Sequence, residues 1–131
     1  GILGKKLFLT VGELSDQNEK PLVTSSSSVK DVIIEISKKR LGVAVVVENK
    51  TVLGVITDGD LRRMLSKTND ISNLKVSDIM NQNPKTIKAD ALAVEAKKLM
   101  QSHEISQLLV MKNGDYVGVV HIHDLIKEGI L

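Results

Sequence analysis

Two short stretches hold most of the side chains in this sequence that could do chemistry: Thr57-Asp58-Gly59-Asp60-Leu61-Arg62-Arg63 and His121-Ile122-His123-Asp124-Leu125. Each follows an apolar run, Gly54-Val55-Ile56 or Gly118-Val119-Val120, and each opens a segment of helical character. Polar groups therefore crowd a strand-to-helix corner. A helix N-terminus leaves several backbone N–H groups without intrahelical partners. Such a corner can receive a phosphate or a ribose edge, and it can equally cap itself, since Asp and Thr are ordinary N-cap residues. Asp60 and Asp124 would repel a phosphate directly, so they suit the hydroxyls of a ribose or another polyol. Backbone amides, Thr57, Arg62 or Arg63 would take an anionic end. In the competing reading both carboxylates sit in a first helical turn and only favour its dipole. His121 and His123 lie two apart and would face one side of an extended segment. Two ligands make an incomplete metal site, and His103 falls at the far end of a helix, so no metal centre is expected. His121 suits an anionic ligand or an adjoining domain, and it can make binding pH-dependent near neutrality. No nucleophile with a base appears, and no catalytic residue is assigned.

The elements that must position these residues follow in chain order. Residues 1–10 carry apolar side chains with no neighbours to bury them, as expected of a joint to something upstream. Val11 to Leu14 reads as a short turn, and Pro21 precedes a short strand, Leu22-Val23-Thr24. Ser28, with Asp31 three residues on, makes a capping box. The helix it opens has Val29, Val32, Ile33 and Ile36 inward, and Gly42 stands near its C-terminus. Val43 to Val47 is a continuous β-branched run, hence a buried strand, and Glu48-Asn49-Lys50 turns it into Thr51 to Ile56. The helix after the first corner reaches Leu65, and polar residues 66–73 connect two halves.

The pattern then restarts. Gly54 matches Gly118 at an offset of 118 − 54 = 64, and the same offset relates Asp60 to Asp124, Leu61 to Leu125, Ile36 to Met100, Leu41 to Ile105 and Val23 to Ile87. A gapless register of this length marks an internal repeat of about 60 residues. Its unit is β-α-β-β-α, and two copies that cannot bury their own faces pack against each other about a pseudo-twofold. In the second copy a helix spans about Leu92 to His103, with Asp90 the best candidate cap. Gln107 to Met111 and Tyr116 to Val120 are strands joined at Asn113-Gly114, a strong hairpin signal. The fold class is α/β, in the α+β sense.

Composition narrows the partners. With 131 residues the chain can bury a genuine core, and the absence of cysteine removes disulfides, thiolate catalysis and Cys-ligated zinc, fitting a reducing compartment with cytoplasm as the default. A net charge of +2 with interspersed signs, one Phe, one Tyr and no Trp gives neither a basic footprint nor a stacking platform, so no nucleic-acid partner is expected. No apolar run approaches the roughly 20 residues of a membrane span. No signal peptide is visible, and Gly1 in place of Met is expected of a piece of a longer chain.

These residues resemble a known family, the paired CBS domains, in which two β-α-β-β-α repeats form a regulatory module. Gly54-Val55-Ile56-Thr57-Asp58-Gly59-Asp60 matches the family ending Gly-apolar-apolar-Thr-x-x-Asp, whose Thr and Asp line a nucleotide site. The second copy keeps Gly118 and Asp124 but has His121 in place of the hydroxyl. More closely, Gly-Ile-Leu-Gly-Lys-Lys-Leu, Thr-Asp-Gly-Asp-Leu-Arg-Arg and His-Ile-His-Asp-Leu together are similar to the C-terminal part of bacterial arabinose-5-phosphate isomerases, sugar isomerases that supply the Kdo pathway of lipopolysaccharide and capsule. The resemblance implies a joint over 1–10 to a catalytic domain outside this stretch, one CBS repeat over 11–68 and a second over 69–131. It implies a regulatory module, itself no enzyme and without a cofactor, that senses an adenine or cytidine nucleotide or CMP-Kdo. The ligand would meet Thr57, Asp58, Asp60, Arg63, Thr86, His121, His123 and Asp124. The implied partners are an upstream sugar-isomerase domain and further copies of the chain through their CBS pairs. The alternative is a structural dimerisation module with no physiological ligand.

Overall fold

The computed structural model describes residues 7–130. Along them run α1 (Val11–Ser15), α2 (Val29–Lys39), β1 (Val43–Glu48), β2 (Thr51–Thr57), α3 (Asp58–Lys67), α4 (Val76–Ile79), β3 (Thr86–Lys88), α5 (Ala93–His103), β4 (Gln107–Lys112), β5 (Asp115–His121) and α6 (Ile122–Lys127). This is the mixed α+β architecture the sequence implies, and the repeat extends to its hydrogen-bond register. Val23 bridges Val46 in parallel as Ile87 pairs with Val110. Val43 faces Thr57 as Gln107 faces His121, and each hairpin shifts register once, after Val46 and after Val110. Both hairpins turn on two left-handed residues, Asn49 (φ 49°) and Lys50 (φ 66°), then Asn113 (φ 52°) and Gly114 (φ 83°), a twist that matches the strands they join.

Packing divides the chain into two compact units, Pro21–Pro84 and the described residues up to Lys20 together with those from Lys85 on. The division does not follow the sequence repeat. Helix α1 packs on β5 and α5, and α4 packs on α3. Backbone pairing fixes both exchanges. Val11 N–H donates to Ala91 O and Gly12 N–H to Ala89 O, each at 2.9 Å, while Val55 and Asn81 exchange bonds of 2.9 and 2.8 Å. One core gathers Val29, Val32, Ile36, Ala44, Ile56 and Leu61. The other gathers Val11, Leu14, Ala96, Met100, Leu108 and Leu125.

Local differences from the sequence reading have simple causes. Of the joint, Gly1–Lys6 lie outside the described residues. Leu9 does have neighbours: it packs on the α1-side core and accepts from Ala93 N–H at 2.8 Å, and Thr10 caps α1. The strand at Leu22–Thr24 reduces to the bridge at Val23, because Thr24 N–H turns away to Ser27 Oγ at 3.0 Å. Ser28 and Asp31 form the expected capping box, but the left-handed residue that ends α2 is Arg40 (φ 61°), two places before Gly42. Asp90 does not cap α5. Leu92 holds that position, and its N–H is met by Glu95 Oε2 at 3.2 Å, so the acid at the third helical residue does the work a cap side chain would share.

Candidate functional site

Each corner is set by a short sequence rule. In β2 the strand must pass close to the Asn81 backbone, and only Gly54 permits it. The strand then breaks at Thr57, whose Oγ1 accepts from Asp60 N–H at 3.2 Å while Asp60 Oδ2 accepts from Thr57 N–H at 2.9 Å. This reciprocal box starts α3. Asp58 N–H, the first of the helix, donates to Gly42 O at 3.1 Å, and the Asp58 side chain is exposed. Asp60 Oδ1 takes the Arg63 guanidinium in an i,i+3 ion pair. Gly59 lets that guanidinium fold back over the first turn, since a Cβ there would stand 3.3 Å from it. The first corner thus folds a guanidinium over the first turn of α3, a donor suited to an anion. Asp60, Arg63, Met64, Lys67, Leu74 and Asp78 line a cavity of about 360 Å³ along the same face of α3.

The second corner reproduces this geometry with other atoms. Ile122 N–H donates to Ser106 O at 2.7 Å, the counterpart of the Asp58 bond to Gly42. Asp124 Oδ2 accepts from His121 N–H at 2.8 Å, as Asp60 does from Thr57. The hydroxyl is replaced by an imidazole: His121 Nδ1 accepts from His123 N–H at 3.0 Å and caps α6. An accepting Nδ1 carries no proton. The sequence shows His121 as a mismatch to Thr57, and the structure shows it filling the same capping office. The His121 and His123 rings lie 4.5 Å apart, tilted by 53°. Among the described residues no group of three or more His, Asp or Glu side chains is placed to hold a metal.

Thr86 is exposed on β3, paired with Leu109, and lines a groove of about 810 Å³ with Lys88, Asp90, Lys112 and Asn113. No corner residue lines that groove, so Thr86 is not gathered with His121, His123 and Asp124. Three contributors are absent from the sequence reading. Lys67 and Met64 join Asp60 and Arg63 by i,i+4 spacing on α3, a signal the sequence does carry. Asn18 donates from Nδ2 to Asp124 Oδ2 at 2.9 Å and to Val119 O at 3.1 Å across more than a hundred residues, and no local pattern announces it.

The model of the CBS domain matches residues 11–67 and again 76–130. The chain belongs to the CBS domain family. Arabinose 5-phosphate isomerase KdsD of Francisella tularensis is 42% identical over 129 residues, 97% of this chain and 39% of the isomerase. Its namesake in Escherichia coli K12 is 35% identical over 133 residues, 100% of this chain and 40% of that relative. The chain spans about two-fifths of the length of these curated relatives, in their C-terminal part, and what it carries is a CBS pair. A CBS domain protein from Pyrobaculum aerophilum complexed with AMP is 26% identical, with a TM-score of 0.79 over 89% of this chain and 90% of that one. Among the described residues of the CBS pair no helix is long and apolar enough to cross a membrane.

Proposed function

We propose that this CBS pair is the regulatory ligand-binding part of an arabinose 5-phosphate isomerase of the Kdo pathway, a cytoplasmic enzyme whose active site lies outside residues 1–131. The pair takes a nucleotide or nucleotide-sugar and passes its occupancy to the isomerase domain. The observation that carries the reading is the recurrence of one strand-to-helix corner at Gly54–Asp60 and Gly118–Asp124, each with a carboxylate at the same place in its first turn. At the first corner Thr57, Asp58, Asp60 and Arg63 meet the ligand, with the guanidinium on its anionic end. At the second, His121, His123 and Asp124 do so. The AMP complex of the Pyrobaculum relative supports an adenine nucleotide. CMP-Kdo, as an end product of the pathway, is the second candidate, because it would suit feedback. Regulation requires that the ligand bind two states of the enzyme unequally, by about 1–3 kcal/mol.

Calorimetry with AMP, ATP, CMP and CMP-Kdo at millimolar concentration is expected to give heat with at least one of them, reduced by Asp60→Ala or Asp124→Ala. No heat and no thermal shift with all four overturns the reading. The half-exposed apolar residues Ile34, Leu65 and Ile126 on α2, α3 and α6 favour a second reading, in which the pair joins copies of the chain. Sedimentation separates the two: a dimer that persists in the doubly substituted Asp60→Ala, Asp124→Ala protein, with unchanged kinetics of the whole enzyme, favours scaffolding alone.

A further inference from the structure

The carboxylates of the two corners are held by different partners. Asp60 is held by Arg63 of its own helix. At the equivalent place 63 + 64 = 127 stands Lys127, and among the described residues it makes no ion pair with Asp124. Asp124 is held instead by Asn18, from the turn that ends α1. That turn is firmly seated. Leu14 is 1% exposed in the core, Asn18 N–H donates to Ser15 O at 3.0 Å, and Gln17 N–H donates to Leu14 O at 3.2 Å. Both contacts of the Asn18 amide are acceptors, so its nitrogen faces them and both its protons are engaged.

The count of lone pairs on Asp124 has a consequence. Oδ2 accepts from His121 N–H at 2.8 Å and from Asn18 Nδ2 at 2.9 Å, which fills it, and Oδ1 has no partner among the described residues. A single ligand hydroxyl can donate to Oδ1 and leave Asn18 in place. A cis-diol that donates to both oxygens must displace one of the existing donors, and the side chain of Asn18 yields before the backbone N–H of His121, which is fixed at the end of β5. We propose that Asn18 is a latch tying the end of α1 to Asp124, released when a ribose cis-diol takes both oxygens of Asp124. Occupancy of this corner is thereby coupled to the turn that ends α1. The coupling rests on the nucleotide reading above, whereas the latch itself does not.

The test has two arms. Without ligand, a double-mutant cycle of Asn18→Ala and Asp124→Ala is read by amide exchange at Gln17 and Asn18. Each single change is expected to speed exchange roughly three- to tenfold, and the pair no more than either alone. Additive effects overturn the latch. Asn18→Asp, which keeps the size and removes the donor, replaces Asn18→Ala if the latter fails to fold. In an Asp60→Ala background, which leaves the second corner, AMP is expected to bind the Asn18→Ala protein roughly three- to tenfold more tightly than the parent, and 2′-deoxy-AMP equally in both. Equal effects on the two nucleotides overturn the release step. If AMP binds neither protein, the release step falls, the cycle alone decides the latch, and the nucleotide reading is decided by the calorimetry with all four ligands.

Discussion

Replacing Gly54 by Ala should unfold this protein far more readily than replacing its repeat partner Gly118, although the two occupy the same place in the same motif. A Cβ at Gly54 would stand 2.6 Å from Asn81 O and 3.1 Å from Met80 Sδ, against an ordinary contact of 3.4 Å, so backbone must yield by 3.4 − 2.6 = 0.8 Å. The atom in the way is the acceptor of Val55 N–H, and Asn81 N–H returns the bond to Val55 O. Moving it weakens two backbone hydrogen bonds, about 0.5–1.5 kcal/mol each, on top of about 1–3 kcal/mol for overpacking. The sum is about 2–6 kcal/mol. At Gly118 a Cβ meets Ser15 Cβ and Oγ at 3.2 Å, a deficit of 3.4 − 3.2 = 0.2 Å against a short side chain that can shift, and the cost is about 1 kcal/mol or less. Urea denaturation reads the difference. The midpoint of Gly54→Ala should fall by about 1–2 M more than that of Gly118→Ala, with little change in slope. Equal midpoints, or a larger loss at Gly118, would refute the claim that approach of the Asn81 backbone sets the glycine of the first corner.

Thr57→Ala removes the hydroxyl cap of α3 and should cost about 1 kcal/mol in the same assay. His121→Thr, which restores a hydroxyl at the second corner, should stay within about 0.5 kcal/mol; a neutral Thr57→Ala would show that the cap is immaterial. The hydroxyl and then the N–H of Ser72 hold the exposed Asp70 carboxyl below the ordinary value of 3.8. A depressed carboxyl contributes stability above the unfolded value that is lost as pH falls through the folded one. Ser72→Ala should therefore raise the Asp70 value toward 3.8 in an NMR titration, and an unmoved titration would exclude the Ser72 side chain as the main cause.

The repeat, the hairpins and the inward face of α2 were legible because each rests on local rules: a fixed offset, paired turn residues and helical spacing. The segments that change partners were not. Val11 to Leu14 and Val76 to Ile79 answer each other in sequence, but whether a short apolar helix packs on the strands that follow it or on the other copy depends on contacts across about 80 residues, such as Val11 to Ala91. Asn18 escaped for the same reason. His121 escaped for a chemical one: a comparison of residue types sees an imidazole where a hydroxyl stands, whereas a cap asks only for a lone pair at the right distance. Asp90 misled because an acid before an apolar run suggests a cap, while in α5 the useful acid lies inside, at Glu95.

That last pattern bears on the corners themselves. Among the described residues, each of the six helices α1–α6 carries an acid at its third position: Glu13, Asp31, Asp60, Asp78, Glu95 and Asp124. In all but α1 that side chain accepts the N–H of the residue before the helix. A carboxylate in a first turn is therefore the common way this chain starts a helix, and Asp60 and Asp124 are not singled out by being there. What singles them out is how the rest of the carboxylate is treated. Asp31 and Asp78 are exposed, whereas Asp60 is half-buried and turned to Arg63, and Asp124 is clamped by an amide from a distant turn. At Asp60 the cap and the ion pair use different oxygens of one side chain, Oδ2 for Thr57 N–H and Oδ1 for Arg63. Truncation to Ala removes both at once, but Asp60→Asn leaves an amide oxygen for Thr57 N–H and withdraws only the charge that faces Arg63. A binding loss that survives in Asp60→Asn belongs to recognition, and one that appears only in Asp60→Ala belongs to the fold.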